Sequence, residues 1–174
     1  MSAATFALLL VLTAHVLMAA LWLGATGFVT FFLLPAFQDT GPAAGPVMGA
    51  LLQRKLHVVM ASLGGTTVVT GLYLYWRFTG GFDPALSGTR SAMVFGTGGI
   101  AGILAVILGA ALVSRNAKRM AGLGARLVSM PDGPERARAA ADMAAARQRA
   151  ATAGRIVLVL QMIALALMVF GHYV

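Results

Sequence analysis

The chain has 174 residues, of which 59% are hydrophobic and 10% are charged, and its mean hydropathy is +0.86. A soluble domain carries about 25% charged residues, so this composition indicates an integral membrane protein, with one domain over residues 1–174. Because the chain has no cysteine, disulfides, iron–sulfur clusters, thiolate zinc sites and a cysteine nucleophile are excluded.

The net charge of +8 is concentrated in one part of the chain. Nine of the thirteen Lys and Arg residues lie between Arg115 and Arg155. In a membrane protein such a basic cluster indicates which side of the membrane the segment lies on, and it contacts anionic lipid headgroups. We therefore expect a lipid bilayer, and no nucleic acid, as the partner.

Four apolar segments are long enough to span a bilayer, which needs about 20 apolar residues each. The first is too long for a cleavable signal core and lacks a basic start, so it is interpreted as a retained helix. We therefore expect an all-α fold, a four-transmembrane-helix bundle. Its spans are predicted at residues 5–36, 52–77, 92–114 and 155–173.

The distribution of basic residues also predicts the orientation. The 115–154 stretch should be cytoplasmic, and Arg54 and Lys55 fall on the same side. The 78–91 loop and both termini are then outside, and the aromatic residues at the outer boundary agree with this. We expect a multi-pass protein of a bacterial-type inner (cytoplasmic) membrane.

Two connecting regions carry strong breaking signals. Gly41, Pro42, Gly45 and Pro46 predict that residues 37–50 form a loop and not one helix, and Pro35 is expected to end or kink the first helix.

The second such region is residues 129–135, where Gly133 or Asp132 can cap and Pro134 suits a first helical position. The 115–154 stretch is thus predicted to be a cytoplasmic helical hairpin that merges into the fourth span across Gly154. It either fixes topology as a solvated extension or docks a partner or acidic lipid.

Each of the three histidines has a methionine one helical turn away. The pairs are His15 with Met18, His57 with Met60, and His172 with Met168. Spacings of three or four place both side chains on one helix face, and polar groups inside a bilayer are costly and usually functional. Imidazole and thioether suit haem iron or copper, so these pairs are candidate ligands. The alternatives are that His15 is bonded to a carbonyl or hydroxyl of a neighbouring helix, that His57 contacts lipid headgroups, and that His172 is a hydrated residue at the interface.

Depth and adjacency favour different pairings of the histidines. His15 and His172 are both predicted on the outer side, and His57 on the inner side. Depth therefore favours His15 with His172, whereas the adjacency of the first two helices favours His15 with His57.

Other residues near these histidines are candidates for contact with a cofactor. Trp22, two turns after His15, either packs on a macrocycle or fills the bundle. Gly64 and Gly71 follow His57 at seven and fourteen residues, and their bare backbone admits a flat cofactor or another helix. On the third span a small-residue stripe favours helix packing, with a homodimer seam as an alternative. The stripe consists of Gly98, Gly102, Ala105 and Gly109.

Several sequence features resemble a known family. His15, followed after six residues by Trp22-Leu23-Gly24, resembles the first helix of the copper-resistance D-type proteins and of the HemJ-type membrane protoporphyrinogen oxidases. Leu34-Pro35-Ala36-Phe37 and the Gln53–Met60 stretch are similar to the HemJ group, so the resemblance covers about residues 10–75. It implies a four- to five-helix fold, with haem b on His15 in one group and copper handling in the other. The third helix lacks the lysine that the HemJ group uses beside its haem, so protoporphyrinogen oxidation is not carried over.

The sequence therefore predicts a haem b protein with His15 as axial ligand and His57, His172 or a methionine as the second. Its role would be electron transfer with a quinone or another redox partner, or a haem-dependent oxidoreductase step. The alternatives are a copper-binding or copper-transport protein that uses the His/Met pairs, and an accessory subunit of a membrane complex.

Overall fold

The computed structural model describes residues 1–40 and 44–174, and across these residues the chain is helical with no strand. Within this described part, four helices are long and apolar enough to cross a membrane, which confirms the four predicted segments and, with the absence of strands, the all-α class. Their bounds are Ala3–Phe37, Leu56–Phe78, Arg90–Ser129 and Pro134–Phe170.

The described elements follow one another with short connections. The α-helices are α1 (Ala3–Phe28), α2 (Leu34–Asp39), α3 (Ala44–Gln53), α4 (Leu56–Phe78), α5 (Pro84–Ser87), α6 (Arg90–Leu108), α7 (Arg115–Ser129) and α8 (Pro134–Phe170). Two π-helical segments interrupt the long helices, at Val29–Leu33 between α1 and α2 and at Gly109–Ser114 between α6 and α7.

The first π-helical segment explains how the chain passes Pro35. A proline inside a helix lacks an N–H and clashes with the carbonyl four residues earlier. The wider π turn directly precedes α2, and the chain stays helical through Phe37 instead of ending at Pro35. The second π-helical segment likewise keeps α6 and α7 in one helix that extends well past residue 114.

Residues 37–50 differ in part from the predicted loop. Gly41 and Pro42 lie outside the described residues, but α3 is a helix of ten residues. Pro46 stands in its first turn, where a missing N–H breaks no intrahelical bond. The next helix begins at Leu56, after Lys55 in a left-handed conformation (φ 60°), and not at residue 52.

The bundle is held by contacts of α6 with α8, α1 with α4, and α4 with α6. Its central cluster consists of Trp22, Ala105 and Val157, with half-buried side chains from α4, from α8 and from the long helix that contains α6 and α7 around it. A hydrogen bond from Gln161 Nε2 to Thr26 Oγ1, at 3.3 Å, links α8 to α1 inside this region.

One end of the bundle is extended by α7 and the first half of α8. Leu127, Ala139 and Met143 form an apolar cluster between these two helices. Gly133 is the N-cap of α8 and Pro134 its first residue, as the sequence predicts. α8 then runs without a break through Gly154, so the predicted merger into the fourth span is present.

Candidate functional site

His15 projects from α1 onto α4. Its Nδ1 lies 2.9 Å from the Thr67 carbonyl oxygen and 3.1 Å from Thr70 Oγ1. A carbonyl oxygen only accepts, so this contact assigns the ring proton to Nδ1. Nε2 then carries the lone pair, and it forms no hydrogen bond with any residue that the structure describes.

Two glycines of α4 make room for two side chains of α1. A Cβ on Gly71 would lie 2.8 Å from His15 Cε1, and a Cβ on Gly64 would lie 3.0 Å from Trp22 Cε2. Both pairs are seven residues apart along their helices but run in opposite order, so α1 and α4 mesh as antiparallel helices. The bare backbone at Gly64 and Gly71 is therefore covered by α1 side chains.

A cavity of about 130 Å³ lies in the bundle, and every described α-helix except α5 contributes to its lining. Four candidates from the sequence line it: Trp22, His57, Met60 and Gly64. Both π-helical segments also contribute, through Thr30 on one side and Gly109 and Ser114 on the other. Such segments often mark functional positions within helices.

Buried polar atoms at this cavity lack hydrogen-bond partners. Thr30 Oγ1 and His57 Nδ1 have none among the described residues, although Thr30 is only 6% exposed. Thr26, one turn earlier, donates normally to the Trp22 carbonyl at 2.8 Å. An unpaired polar group in an apolar interior costs free energy, so these atoms indicate a bound polar molecule or water.

Sequence reasoning missed Thr26, Thr30 and Ser114 as site residues. The available signal is the spacing of Thr26 and Thr30, which places two hydroxyls one helical turn apart on an otherwise apolar segment.

The structure separates His57 from His15. His15 contacts α4 at Thr67, ten residues after His57 on the same helix. Ten residues correspond to about 15 Å along a helix axis, whereas two nitrogens on one metal ion lie only about 4 Å apart, given metal–nitrogen bonds of about 2 Å. These two histidines therefore do not bind the same metal ion in this structure.

His172 lies at another level of the bundle. Its ring packs edge-on against Phe95, with centroids 5.1 Å apart, and Phe95 in turn contacts Phe78 at the end of α4. Phe78 is seven residues beyond Gly71, or about 10 Å along the axis. His172 is exposed, and its Nδ1 donates to the Met168 carbonyl at 2.8 Å.

The three His–Met pairs are thus not equivalent. Only His57 and Met60 both line the cavity. Met18 is half-buried on α1 and does not line the cavity. The terminal methyl carbon Cε of the Met168 side chain lies near Gly98. Across residues 1–40 and 44–174, no group of three or more His, Cys, Asp or Glu side chains is placed to hold a metal ion.

Part of the small-residue stripe of the third span packs against other helices of the same chain. Gly98 approaches Ala164, Leu167 and Met168 of α8, and Ala105 is fully buried in the central cluster. Gly102 and Gly109 have open space around the position of a Cβ, and Gly109 lines the cavity. A homodimer through this face stays a prediction.

Comparison with protein-family models, with curated proteins and with solved structures finds no match to this chain. The resemblance to the copper-resistance D-type and HemJ-type proteins therefore stays a prediction.

Proposed function

We propose that this chain is a multi-pass membrane protein that binds haem b through Nε2 of His15 and takes part in electron transfer. One observation carries the proposal: His15 Nδ1 donates to the Thr67 carbonyl at 2.9 Å. Metal-binding histidines characteristically donate their other ring N–H in this way, because the bond fixes the tautomer and makes the free nitrogen a better ligand.

The donor set fits haem better than a bare metal ion. A bare ion in a protein usually takes three or four protein ligands, and no such cluster occurs among the described residues. A haem brings its own four nitrogen ligands and needs only axial side chains. When bound, it would supply one-electron chemistry, whereas this chain holds the His15 ring and orients Nε2.

The proposed placement follows the basic residues. Arg54, Lys55 and the basic 115–155 stretch would lie on the cytoplasmic side of a bacterial-type inner membrane. The termini and the connection that contains α5 would lie outside, and the α7–α8 extension would project into the cytoplasm.

The test is the absorption spectrum of the full chain purified in detergent. A Soret band with a reduced α-band is expected, and His15→Ala should remove both. His57→Ala and His172→Ala are matched controls that should keep the bands, because these residues lie at other levels of the bundle. A colourless protein, or haem bands that survive His15→Ala, would contradict the proposal.

A second candidate is copper binding at His57 and Met60. The supporting observation is that this pair lines the cavity and that His57 Nδ1 has no partner there. Copper(I) accepts imidazole and thioether ligands. Elemental analysis should then find copper that is lost in Met60→Leu, a substitution that conserves volume. A protein with neither haem nor copper would favour the role of an accessory subunit.

A further inference from the structure

The cavity inside the bundle has the size and chemistry of a site for one small ring. Its volume of about 130 Å³ is close to that of an engineered apolar cavity of about 150 Å³ that binds benzene. Most of the 23 lining residues are apolar, and apart from the indole N–H of Trp22 only Thr26, Thr30, His57 and Ser114 carry polar side-chain groups. Ligand sites typically combine such an apolar wall with a few polar groups that fix orientation.

The unpaired polar atoms define what the ring must carry. Thr30 Oγ1 can donate its hydroxyl hydrogen, and a neutral imidazole can carry its proton on Nδ1 of His57. Both atoms are buried and are free of partners among the described residues, whereas Thr26 already bonds to Trp22 and Gln161. A neutral ring with carbonyl oxygens satisfies these donors and brings no charge into the bilayer, where charge is costly.

We propose that this cavity binds the ring of a benzoquinone, with the Thr30 hydroxyl and His57 Nδ1–H donating to its carbonyl oxygens and Trp22 packing beside it. Water is a weaker occupant, because an ordered water needs two to four polar partners and most of this wall offers none. Binding itself requires no haem. That the quinone is the redox partner of the haem rests on the proposed haem function. Trp22 at the cavity lies two helical turns, about 10 Å, from His15 along α1.

The chain offers a built-in reporter for the test. Trp22 lines the cavity and is 7% exposed, whereas Trp76 lies at the far end of α4 and is 43% exposed. The full-length protein is produced without haem, so that haem does not quench fluorescence. Trp76→Phe then leaves only the cavity reporter, and Trp22→Phe leaves only the outer one. The probe is a dimethyl-para-benzoquinone, and para-xylene is the ring without carbonyl oxygens.

Saturable quenching is expected with Trp22 alone, and unsaturable collisional quenching with Trp76 alone. Thr30→Val and His57→Phe should each raise the apparent Kd roughly three- to tenfold, the effect of losing one hydrogen bond. Thr97→Val is the matched control, because Thr97 is exposed and bonds only to its own helix at Met93. It should leave the Kd unchanged.

Three results would overturn the proposal: unsaturable quenching of Trp22, a Kd indifferent to both Thr30→Val and His57→Phe, or para-xylene that competes as well as the quinone. Since no haem is needed, a protein without a Soret band can still bind quinone, and a haem protein can still fail to bind it.

Discussion

His15 and Gly71 meet across the contact between α1 and α4, where a methyl group on Gly71 would lie 2.8 Å from the imidazole Cε1. The imidazole can reach the Thr67 carbonyl only because α4 has no side chain at this position. Gly71 therefore helps to orient His15 by leaving space for the ring, although it does not itself bond to the ring.

We predict that Gly71→Ala displaces the His15 ring and weakens haem binding. Overpacking of this kind costs about 1–3 kcal/mol, so the midpoint of thermal unfolding in detergent should fall together with the Soret absorbance. The matched control is Gly65→Ala on the same helix, where a Cβ meets nothing within 4 Å. That change should stabilise the helix by up to about 1 kcal/mol. Equal behaviour of the two variants would contradict the meshing of α1 and α4.

The pair of Gln161 and Thr26 should show coupling between α8 and α1. Thr26→Val removes the acceptor of the Gln161 amide and leaves that buried donor unpaired, which costs about 1–3 kcal/mol. Gln161→Met removes both the donor and the unpaired Oε1, so its effect on the unfolding free energy should be smaller. In the double variant the cost of Thr26→Val should largely vanish. Strict additivity in a double-mutant cycle would show that the hydrogen bond does not form.

The α7–α8 extension should depend on its apolar cluster and not on its ion pair. Leu127 is 3% exposed between the two helices, and Leu127→Ala should cost about 2–5 kcal/mol of local stability. The Arg119–Asp142 pair, at 3.3 Å, is about half exposed on both sides, so Asp142→Asn should cost less than about 1 kcal/mol. Hydrogen exchange of α7 amides measures both changes, and the opposite ranking would contradict this account.

The orientation can be read from single cysteines, because the chain has none of its own. Ala85→Cys and Ser129→Cys place a thiol at two exposed positions at opposite ends of the bundle. A membrane-impermeant maleimide added to intact cells should label Ala85→Cys, and Ser129→Cys should be labelled only after lysis. The reverse pattern would invert the proposed topology.

Local signals in the sequence were enough to predict the membrane-length helices and the start of α8. Length and composition defined four apolar segments, and Gly133 with Pro134 marked the start of α8, because capping and chain stiffness depend on neighbouring residues alone. The same local reasoning predicted a loop where α3 forms. There, packing of Met48 against Phe37 and Met120 stabilises a helix that proline and glycine disfavour.

The candidate ligands could also be named from the sequence, but the environment of each one could not be predicted from it. In a helix that is apolar on every side, the pattern does not distinguish the face toward lipid from the face toward the bundle, since both are apolar. Rotation and relative height are set by contacts between distant residues, such as His15 with Gly71 and Trp22 with Gly64. The sequence by itself determined a four-helix membrane-length chain with three His–Met pairs. Only the tertiary structure decided that His15 bonds to α4, that His57 and Thr30 line the same cavity, and that His15 and His57 lie too far apart to share one metal ion.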